Sequence, residues 1–110
     1  MKKFLVIYYA PWEAMKGMAT MTDEQKQAGM KPWMDWMEKH KAALVDGGAP
    51  LMPANALSTD GKWSNSAKEI TGFSIIQAES TEAAKKILDG HPHLAWYPGC
   101  TVEFSEFARM

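Results

Sequence analysis

The feature that most constrains the fold is a first strand with apolar side chains on both faces. Residues 3–10 are rich in aromatic and branched side chains and end at Pro11, as is typical of a β-strand. Because side chains alternate along a strand, one face carries Phe4, Val6 and Tyr8 and the other carries Leu5, Ile7 and Tyr9. Such a strand is covered on both sides. We therefore expect helices against one face and a further layer against the other.

The next segment predicts a loop and then a long helix. Residues 12–21 show no clear period and are predicted to be a loop. Residues 22–25, Thr-Asp-Glu-Gln, have the pattern of a capping box, and a helix is predicted over residues 25–45. Pro32 predicts a kink or the start of a separate helix, and the glycines in residues 46–48 predict the helix end. The apolar stripe of this helix comprises Met30, Trp33, Met34, Met37 and Leu44, with His40 on the same side.

The middle of the chain predicts an edge strand and a long hairpin loop. Residues 50–58 are extended but interrupted by Pro53, which cannot donate to a strand ladder, so an edge or bulged strand is expected. The segment Ser58-Thr-Asp-Gly-Lys is a turn signal, and the polar run as far as Lys68 predicts a long hairpin loop around Trp63.

The last third of the chain predicts an inner strand, a helix and a final strand. Residues 69–78 form the clearest inner strand, again apolar on both faces. Either Ser80 or Thr81 caps a second helix that runs to about Asp89. Residues 101–107 then alternate between apolar and polar side chains, which predicts the last strand.

The predicted order is strand, helix, strand, strand, helix, strand, and it indicates an α+β domain. This is the ferredoxin-like βαββαβ plan, with a four-stranded antiparallel sheet and two helices on one face. The plan leaves the second sheet face bare, and here that face is too apolar for a stable soluble monomer. We therefore predict a homodimer that packs sheet on sheet.

Composition narrows the class of protein. The 110 residues, 46% of them hydrophobic, suffice for one domain with a modest core, and residues 1–110 show no repeat or linker. A net charge of −1 without any Lys/Arg-rich run argues against a nucleic-acid partner, because such binding needs clustered cations. The single cysteine, Cys100, gives no sign of an oxidising compartment. The first apolar run is too short for a signal peptide or membrane span, so we expect no membrane association and a cytoplasmic location.

The candidate chemistry lies in the turn between the second helix and the last strand. Gly90 and Pro92 end the helix and place the imidazoles of His91 and His93 on a turn. With Asp89 and Glu103 nearby in sequence or across the sheet, these histidines could form an acid–base group, because imidazole titrates near neutrality. The alternative is that both histidines only satisfy backbone groups of the turn.

Aromatic side chains are the candidate substrate-binding residues. The candidates for a pocket that takes a planar ligand are Tyr8, Trp33, Trp36, Trp96 and Tyr97. Glu103 is the polar residue predicted to bind the substrate beside them. The alternative is that aromatic and Met residues at helical spacing form the core.

Metal, cofactor and thiol chemistry have little support in the sequence. His91 and His93, with Cys100 or His40, could supply three metal ligands, but the spacing fits no standard metal motif. We predict no metal and no cofactor. A small buried residue at the start of a strand is the favoured role for Cys100 over a nucleophile.

Several segments together resemble the YCII-related domain family of dimeric α/β barrel proteins. The segments are Phe4-Leu-Val-Ile-Tyr-Tyr, Trp33-Met-Asp-Trp-Met, Val45-Asp-Gly-Gly-Ala-Pro, Gly72-Phe-Ser-Ile-Ile-Gln-Ala, Leu88-Asp-Gly-His-Pro-His and Gly99-Cys-Thr-Val-Glu. The resemblance covers nearly the whole chain and implies a ferredoxin-like subunit, a dimer, and a cleft between helices and sheet or near the dimer interface. Some relatives carry out small-molecule chemistry such as dehydrochlorination of a hydroxylated aromatic.

A histidine–aspartate pair proposed as catalytic in such relatives does not carry over to this sequence. Its histidine lies early in the first helix, whereas His40 of this chain lies near the helix end. Two hypotheses therefore stand. The first is a cofactor-independent acid–base enzyme acting on a small cyclic or aromatic substrate through His91 or His93. The second is a dimeric ligand-binding or accessory module without turnover. A histidine in an open pocket with a carboxylate in hydrogen-bond reach would favour the enzyme.

Overall fold

The first strand occupies the centre of the main sheet in a computed structural model that describes residues 1–109. Met110, the last residue of the predicted domain, lies outside the described residues. The elements, in chain order, are β1 (Lys2–Tyr9), α1 (Trp12–Met18), α2 (Asp23–Lys39), β2 (Leu44–Pro50), β3 (Asn55–Leu57), β4 (Trp63–Asn65), β5 (Ile70–Ala78), α3 (Thr81–Leu88), a 3₁₀ turn (Pro92–Ala95) and β6 (Thr101–Glu106).

The main sheet has the strand order β2-β5-β1-β6, and every neighbouring pair is antiparallel. Val6 of β1 lies opposite Ser74 on one side and Phe104 on the other, so these three side chains share a face. If the four strands of this sheet are numbered by their order in the chain and read from the β6 edge, their order is fourth, first, third, second. The predicted ferredoxin-like α+β fold is confirmed.

The core lies between this sheet and the two longer helices. Phe4, Val6 and Tyr8 are almost fully buried and pack against Trp36 of α2 and Leu88 of α3. Full burial of each such side chain stabilises the fold by roughly 1.5–3 kcal/mol. The even-numbered face of β1 is thus the helix-covered face.

The start of α2 follows the predicted capping box. The Gln25 backbone N–H donates to Thr22 Oγ1 at 3.1 Å, and the Thr22 N–H donates to Gln25 Oε1 at 2.9 Å. The helix continues through Pro32, so the alternative of a separate helix beginning there is wrong. For α3, the hydroxyl of Ser80 and not Thr81 accepts the capping bond, from the N–H of Ala83.

The predicted helix over residues 25–45 is too long at its C-terminal end. The helix ends at Lys39, and the following segment becomes the edge strand β2, in which Leu44 lies opposite Ile76. Gly48 has φ +77°, and a Cβ there would lie 1.6 Å from the Phe73 carbonyl oxygen. The glycines therefore serve a bulged strand that approaches β5 closely, and the predicted helix-ending role was wrong.

The segment predicted as a loop over residues 12–21 contains the helix α1. Its first N–H, that of Trp12, donates to Glu69 Oε2 at 2.7 Å. Ala14 is buried in a small cluster with Ala10 and Cys100. These distant contacts stabilise a helix of 7 residues that has too few turns for a periodic sequence signal.

The edge strand predicted over residues 50–58 is also misplaced. Residues 55–57 pair with residues 63–65 in a separate two-stranded sheet, while β2 forms the edge of the main sheet. Gly61, with φ +82°, lies in the turn between the two short strands.

The second face of the main sheet carries an apolar surface without a helix over it. Leu5, Ile7 and Tyr9 project from β1 on this face, and Leu5 lies opposite Ile75. Their side chains are half-buried by their neighbours within the sheet. We call this surface the open face.

A pair of glycine substitutions tests the close approach of β2 to β5. Gly90 also has a positive φ but open space around its Cα. We expect Gly90→Ala to lower the free energy of unfolding by about 1–2 kcal/mol, the cost of the left-handed backbone alone. Gly48→Ala adds a backbone clash and should cost about 1–3 kcal/mol more. Urea unfolding measures both, and equal losses would contradict the clash.

Candidate functional site

A cleft of about 780 Å³ opens between α1, α2 and the sheet. Its volume lies within the range of small-molecule sites. Five methionines contribute to its walls, namely Met15, Met18, Met21, Met30 and Met37. Among the described residues that line it, Lys26 is the one with a permanent charge. The cleft is therefore an apolar site with adaptable walls.

Aromatic rings form a continuous wall of the cleft. Tyr8 and Trp33 meet edge to face with ring centroids 5.0 Å apart. His93 lies 5.3 Å from Tyr8 and 5.8 Å from Trp96, again between ring centroids. Four of the residues selected from the sequence, Tyr8, Trp33, His93 and Trp96, thus line one cleft.

The Tyr8 hydroxyl is held at the sheet by a short chain of hydrogen bonds. It donates to Ser74 Oγ at 2.9 Å, and the Ser74 hydroxyl donates to the Gly47 carbonyl at 3.1 Å. Burial raises the pKa of Tyr8, and the bond to Ser74 opposes this rise only in part. The phenol is neutral near pH 7, and its oxygen keeps the capacity to accept a hydrogen bond from a ligand.

The turn after α3 fixes both histidines. Gly90, with φ +69°, ends the helix, and Pro92 begins the 3₁₀ turn. The backbone N–H of His93 donates to His91 Nδ1 at 3.0 Å. The His93 Nε2 donates to the Tyr9 carbonyl at 2.8 Å, so its Nδ1 is the nitrogen with the free lone pair in the neutral ring.

His91 lies in the core and not in the cleft wall. It is 1% exposed, and its ring centroid is 4.4 Å from Trp36 and 4.6 Å from Trp33. Since Nδ1 accepts a bond, the neutral ring carries its proton on Nε2, which has no hydrogen-bond partner among the described residues. Burial, and then the nearby His93 and His40, lower the pKa of His91 to about 4.

His93 combines burial with a place in the cleft wall. Burial lowers its pKa, and the bond to the Tyr9 carbonyl opposes this because it stabilises the protonated ring. The ring is therefore neutral near pH 7, with one nitrogen tied to β1 and the other available as a proton acceptor.

The structure does not bring Asp89, Glu103, Trp36 or Tyr97 to this cleft. Asp89 is exposed at the end of α3, and Glu103 lies opposite Ile7 on the open face, away from the histidines. Trp36 is buried in the core, where its Nε1 donates to the Ile87 carbonyl at 3.2 Å. Within residues 1–109, neither imidazole forms a hydrogen bond with a carboxylate.

The remaining candidate residues, His40 and Cys100, lie outside the cleft. His40 caps the end of α2, with its ring 5.3 Å from that of Trp36. Burial raises the pKa of the Cys100 thiol. No three His, Cys, Asp or Glu side chains of the described chain are grouped so that they could hold a metal ion.

The methionines and Lys26 were missed as cleft residues. Met15, Met18 and Met21 recur every third residue, a spacing that places the first two on one face of α1. That spacing was the sequence signal from which these methionines could have been predicted to form one wall of a cleft. Lys26 gave none, because one exposed lysine in the first turns of a helix is ordinary.

Together the fold and the cleft define a ferredoxin-like α+β domain with an apolar site between helices and sheet. The chain matches the model of the YCII-related domain over residues 1–107 and belongs to that family. The predicted family is confirmed.

A solved structure with the same fold is 5-chloro-2-hydroxyhydroquinone dehydrochlorinase from Burkholderia phenoliruptrix AC1100, in complex with 2,5-dihydroxybenzoquinone. It is 18% identical, with a TM-score of 0.50, over 92% of this chain and 90% of that chain. No curated protein matches the chain. Within the described residues, no helix is both long and apolar enough to cross a membrane.

The buried neutral His91 predicts a stability that depends on pH. The unfolded chain binds a proton at His91 near pH 6.5, whereas the folded chain does so only near pH 4. The free energy of unfolding should therefore fall as the pH drops from about 6.5 towards 4, by up to about 3 kcal/mol. Urea unfolding across this range measures it.

The matched variants are His91→Asn and His40→Asn. Asparagine at position 91 can still accept the bond from His93 N–H but does not titrate, so we expect a flatter pH dependence. His40→Asn should change the dependence much less, since His40 is only half-buried. An unchanged slope in His91→Asn would contradict the assignment.

Proposed function

We propose that this protein is a cofactor-independent small-molecule enzyme in which His93 accepts a proton from a flat, largely apolar substrate held in the cleft. The observation that carries the proposal is a buried, neutral imidazole with a fixed tautomer in an apolar wall. Our proposal places Tyr8, Trp33 and Trp96 against the substrate and gives no substrate contact to Asp89, Glu103, Trp36 or His91.

The proton transfer uses groups already in place. An acidic hydroxyl or activated C–H of the substrate gives its proton to His93 Nδ1, which leaves an imidazolium and a substrate anion. The Tyr9 carbonyl, bonded to Nε2 at 2.8 Å, stabilises the imidazolium. His91 acts as a positioning residue, because its Nδ1 accepts the backbone N–H of His93.

The cleft walls support a ring-shaped substrate with at least one hydroxyl group. The aromatic rings suit a planar compound, and methionines adapt to its outline. Lys26 is the cation that would attract the developing anion. The similar dehydrochlorinase acts on a hydroxylated, chlorinated ring and binds 2,5-dihydroxybenzoquinone, which supports hydroxylated quinones and hydroquinones as the first compounds to test.

One observation favours the second candidate function, a ligand-binding module without turnover. A general base is commonly oriented by a carboxylate, whereas both imidazoles here are tied to backbone groups. The same cleft could hold the same ligands without converting them. Both functions include ligand binding in the cleft. They differ only in whether His93 Nδ1 accepts a proton from the bound ligand.

A substitution of His93 separates binding from proton transfer. Glutamine can still donate to the Tyr9 carbonyl, so His93→Gln should bind hydroxylated quinones within a few-fold of the wild type. Turnover should fall by about 10²- to 10⁴-fold, the usual contribution of a general base. Wild-type kcat/KM should fall as the pH drops below 6.5, through the lowered pKa of His93.

The matched control is His40→Gln, which alters a histidine that does not line the cleft. It should leave both affinity and turnover unchanged. Binding without turnover in the wild type would establish the module instead of the enzyme. A failure of hydroxylated rings to bind, measured by calorimetry, would contradict both functions.

We also propose that the protein is a homodimer that packs through the open face. Leu5, Ile7, Tyr9 and Ile75 give this face a contiguous apolar surface without a covering helix. Surfaces of this kind are typical of interaction sites in soluble proteins. A two-fold pair of such sheets would supply the further layer that β1 requires.

A charge placed on the open face tests the dimer. Ile7→Lys should give a monomer, because burial of the lysine charge beside Glu103 under a second apolar sheet removes both groups from water, which is costly. The monomer should stay folded, since the new lysine lies directly opposite Glu103. Gln27→Lys adds the same charge to the exposed surface of α2 and should remain a dimer. Sedimentation equilibrium measures both, and a dimeric Ile7→Lys would contradict the proposed interface.

A further inference from the structure

Residues 52–66 form an arm that leaves the domain after Leu51, whose N–H still donates to the Thr71 carbonyl of β5 at 3.0 Å. Its two short strands, β3 and β4, pair with each other and with no strand of the main sheet. Further backbone bonds close it at both ends, from Ser66 N to the Ala54 carbonyl and from Ser58 N to the Lys62 carbonyl, each at 2.9 Å. The arm is therefore a self-contained hairpin.

The arm carries large apolar side chains with no core beneath them. Leu57 and Trp63 lie directly opposite each other and are 57% and 69% exposed, and Met52 at the base is 83% exposed. A single two-stranded hairpin is at best marginally stable in water. An arm with this composition needs a surface to pack against.

The subunit is also less compact than its length requires. Its radius of gyration is 15.4 Å, compared with about 13 Å for a compact domain of this length. Its principal extents are 43 × 38 × 20 Å. The subunit is therefore flat, with a shortest dimension of about half of either of the other two.

We infer that the Leu57–Trp63 face of this arm packs against the second copy of the chain. The inference rests on the homodimer proposed above and adds a second contact to it. The arm begins at Met52, two residues after the end of the edge strand that borders the open face. An arm from each subunit can thus extend the interface beyond the edge of the sheet.

The size of the open face supports a second contact. Strands of 6 to 9 residues, at about 3.3 Å per residue and about 4.8 Å between strands, give a four-stranded face of roughly 500 Å². This is the area of a planar footprint. A standard stable interface buries about 800 Å² of accessible surface on each partner. The exposed side chains of Trp63, Leu57 and Met52 would add to the accessible surface that the open face buries, and a buried tryptophan contributes about 150–250 Å².

The charge of the arm favours a second copy over a highly charged partner. Its two charged residues, Asp60 and Lys62, have opposite signs and lie in the turn. An electrically neutral hairpin whose exposed large side chains are apolar offers nothing to a phosphate backbone or a strongly charged protein. The chain itself provides the apolar surface that such a hairpin matches.

Substitutions of the apolar pair test this contact in the full-length protein. Trp63→Thr and Leu57→Thr introduce a β-branched residue, which favours strands, and remove apolar area. We expect Trp63→Thr to raise the dimer Kd by about 30-fold or more, as for a buried interface tryptophan, and Leu57→Thr to raise it less. Ser64→Thr, on the other side of the hairpin, should leave the Kd unchanged.

Sedimentation equilibrium of these variants beside Ile7→Lys separates the two proposals. If Ile7→Lys dissociates the dimer and Trp63→Thr does not weaken it, the arm inference is wrong and the open-face dimer stands. If Ile7→Lys stays dimeric while Trp63→Thr dissociates, the open-face interface is wrong and the arm contact stands. A wild type that is monomeric at all concentrations overturns both.

Tryptic cleavage after Lys62 tests the arm contact independently, because it requires no substitution in the chain. In the dimer the arm should be protected, and cleavage should become faster on dilution below the dimer Kd. Protection that is independent of protein concentration but requires 2,5-dihydroxybenzoquinone would show that the arm closes over its own cleft. That result would overturn the contact with the second copy.

Discussion

The structure depends on the position of β1 in the middle of a four-stranded sheet. Its helix-covered face supplies Phe4 and Val6 to the core and presents Tyr8 to the cleft. At its end, the Tyr9 carbonyl accepts the bond from His93 Nε2 that fixes the histidine turn. Its other face is left for a second layer. Core, site and proposed interface thus meet on one strand.

Sequence periodicity predicted the strands and helices in which a pattern of apolar and polar side chains repeats over several residues. The strands β1, β5 and β6, the start of α2 and the region of α3 were all recognisable, because alternation, helical spacing and capping residues are local signals. Their order was sufficient for the ferredoxin-like plan. The boundary between α2 and β2 was not recognisable. Leu44 continues the helical stripe in sequence, yet pairing with Ile76 in the sheet places it in a strand.

The site was predictable in its composition but not in its geometry. Tyr8, Trp33, Trp96 and His93 were selected from the sequence and line one cleft. Which of two histidines separated by one proline lies in the wall depends on the turn, and the turn buries His91 in the core. Glu103 is close to β1 but on the opposite face of the sheet, because register decides the face of every side chain in a strand.

The central claim concerns the protonation of His93, and ¹⁵N NMR of the imidazole nitrogens tests it most directly. The account predicts a neutral ring protonated at Nε2, with a pKa below 6.5. It also predicts an Nδ1 resonance that shifts when 2,5-dihydroxybenzoquinone is added. A ring protonated at Nδ1, a pKa above 6.5, or an Nδ1 signal that no hydroxylated ring perturbs would contradict the account.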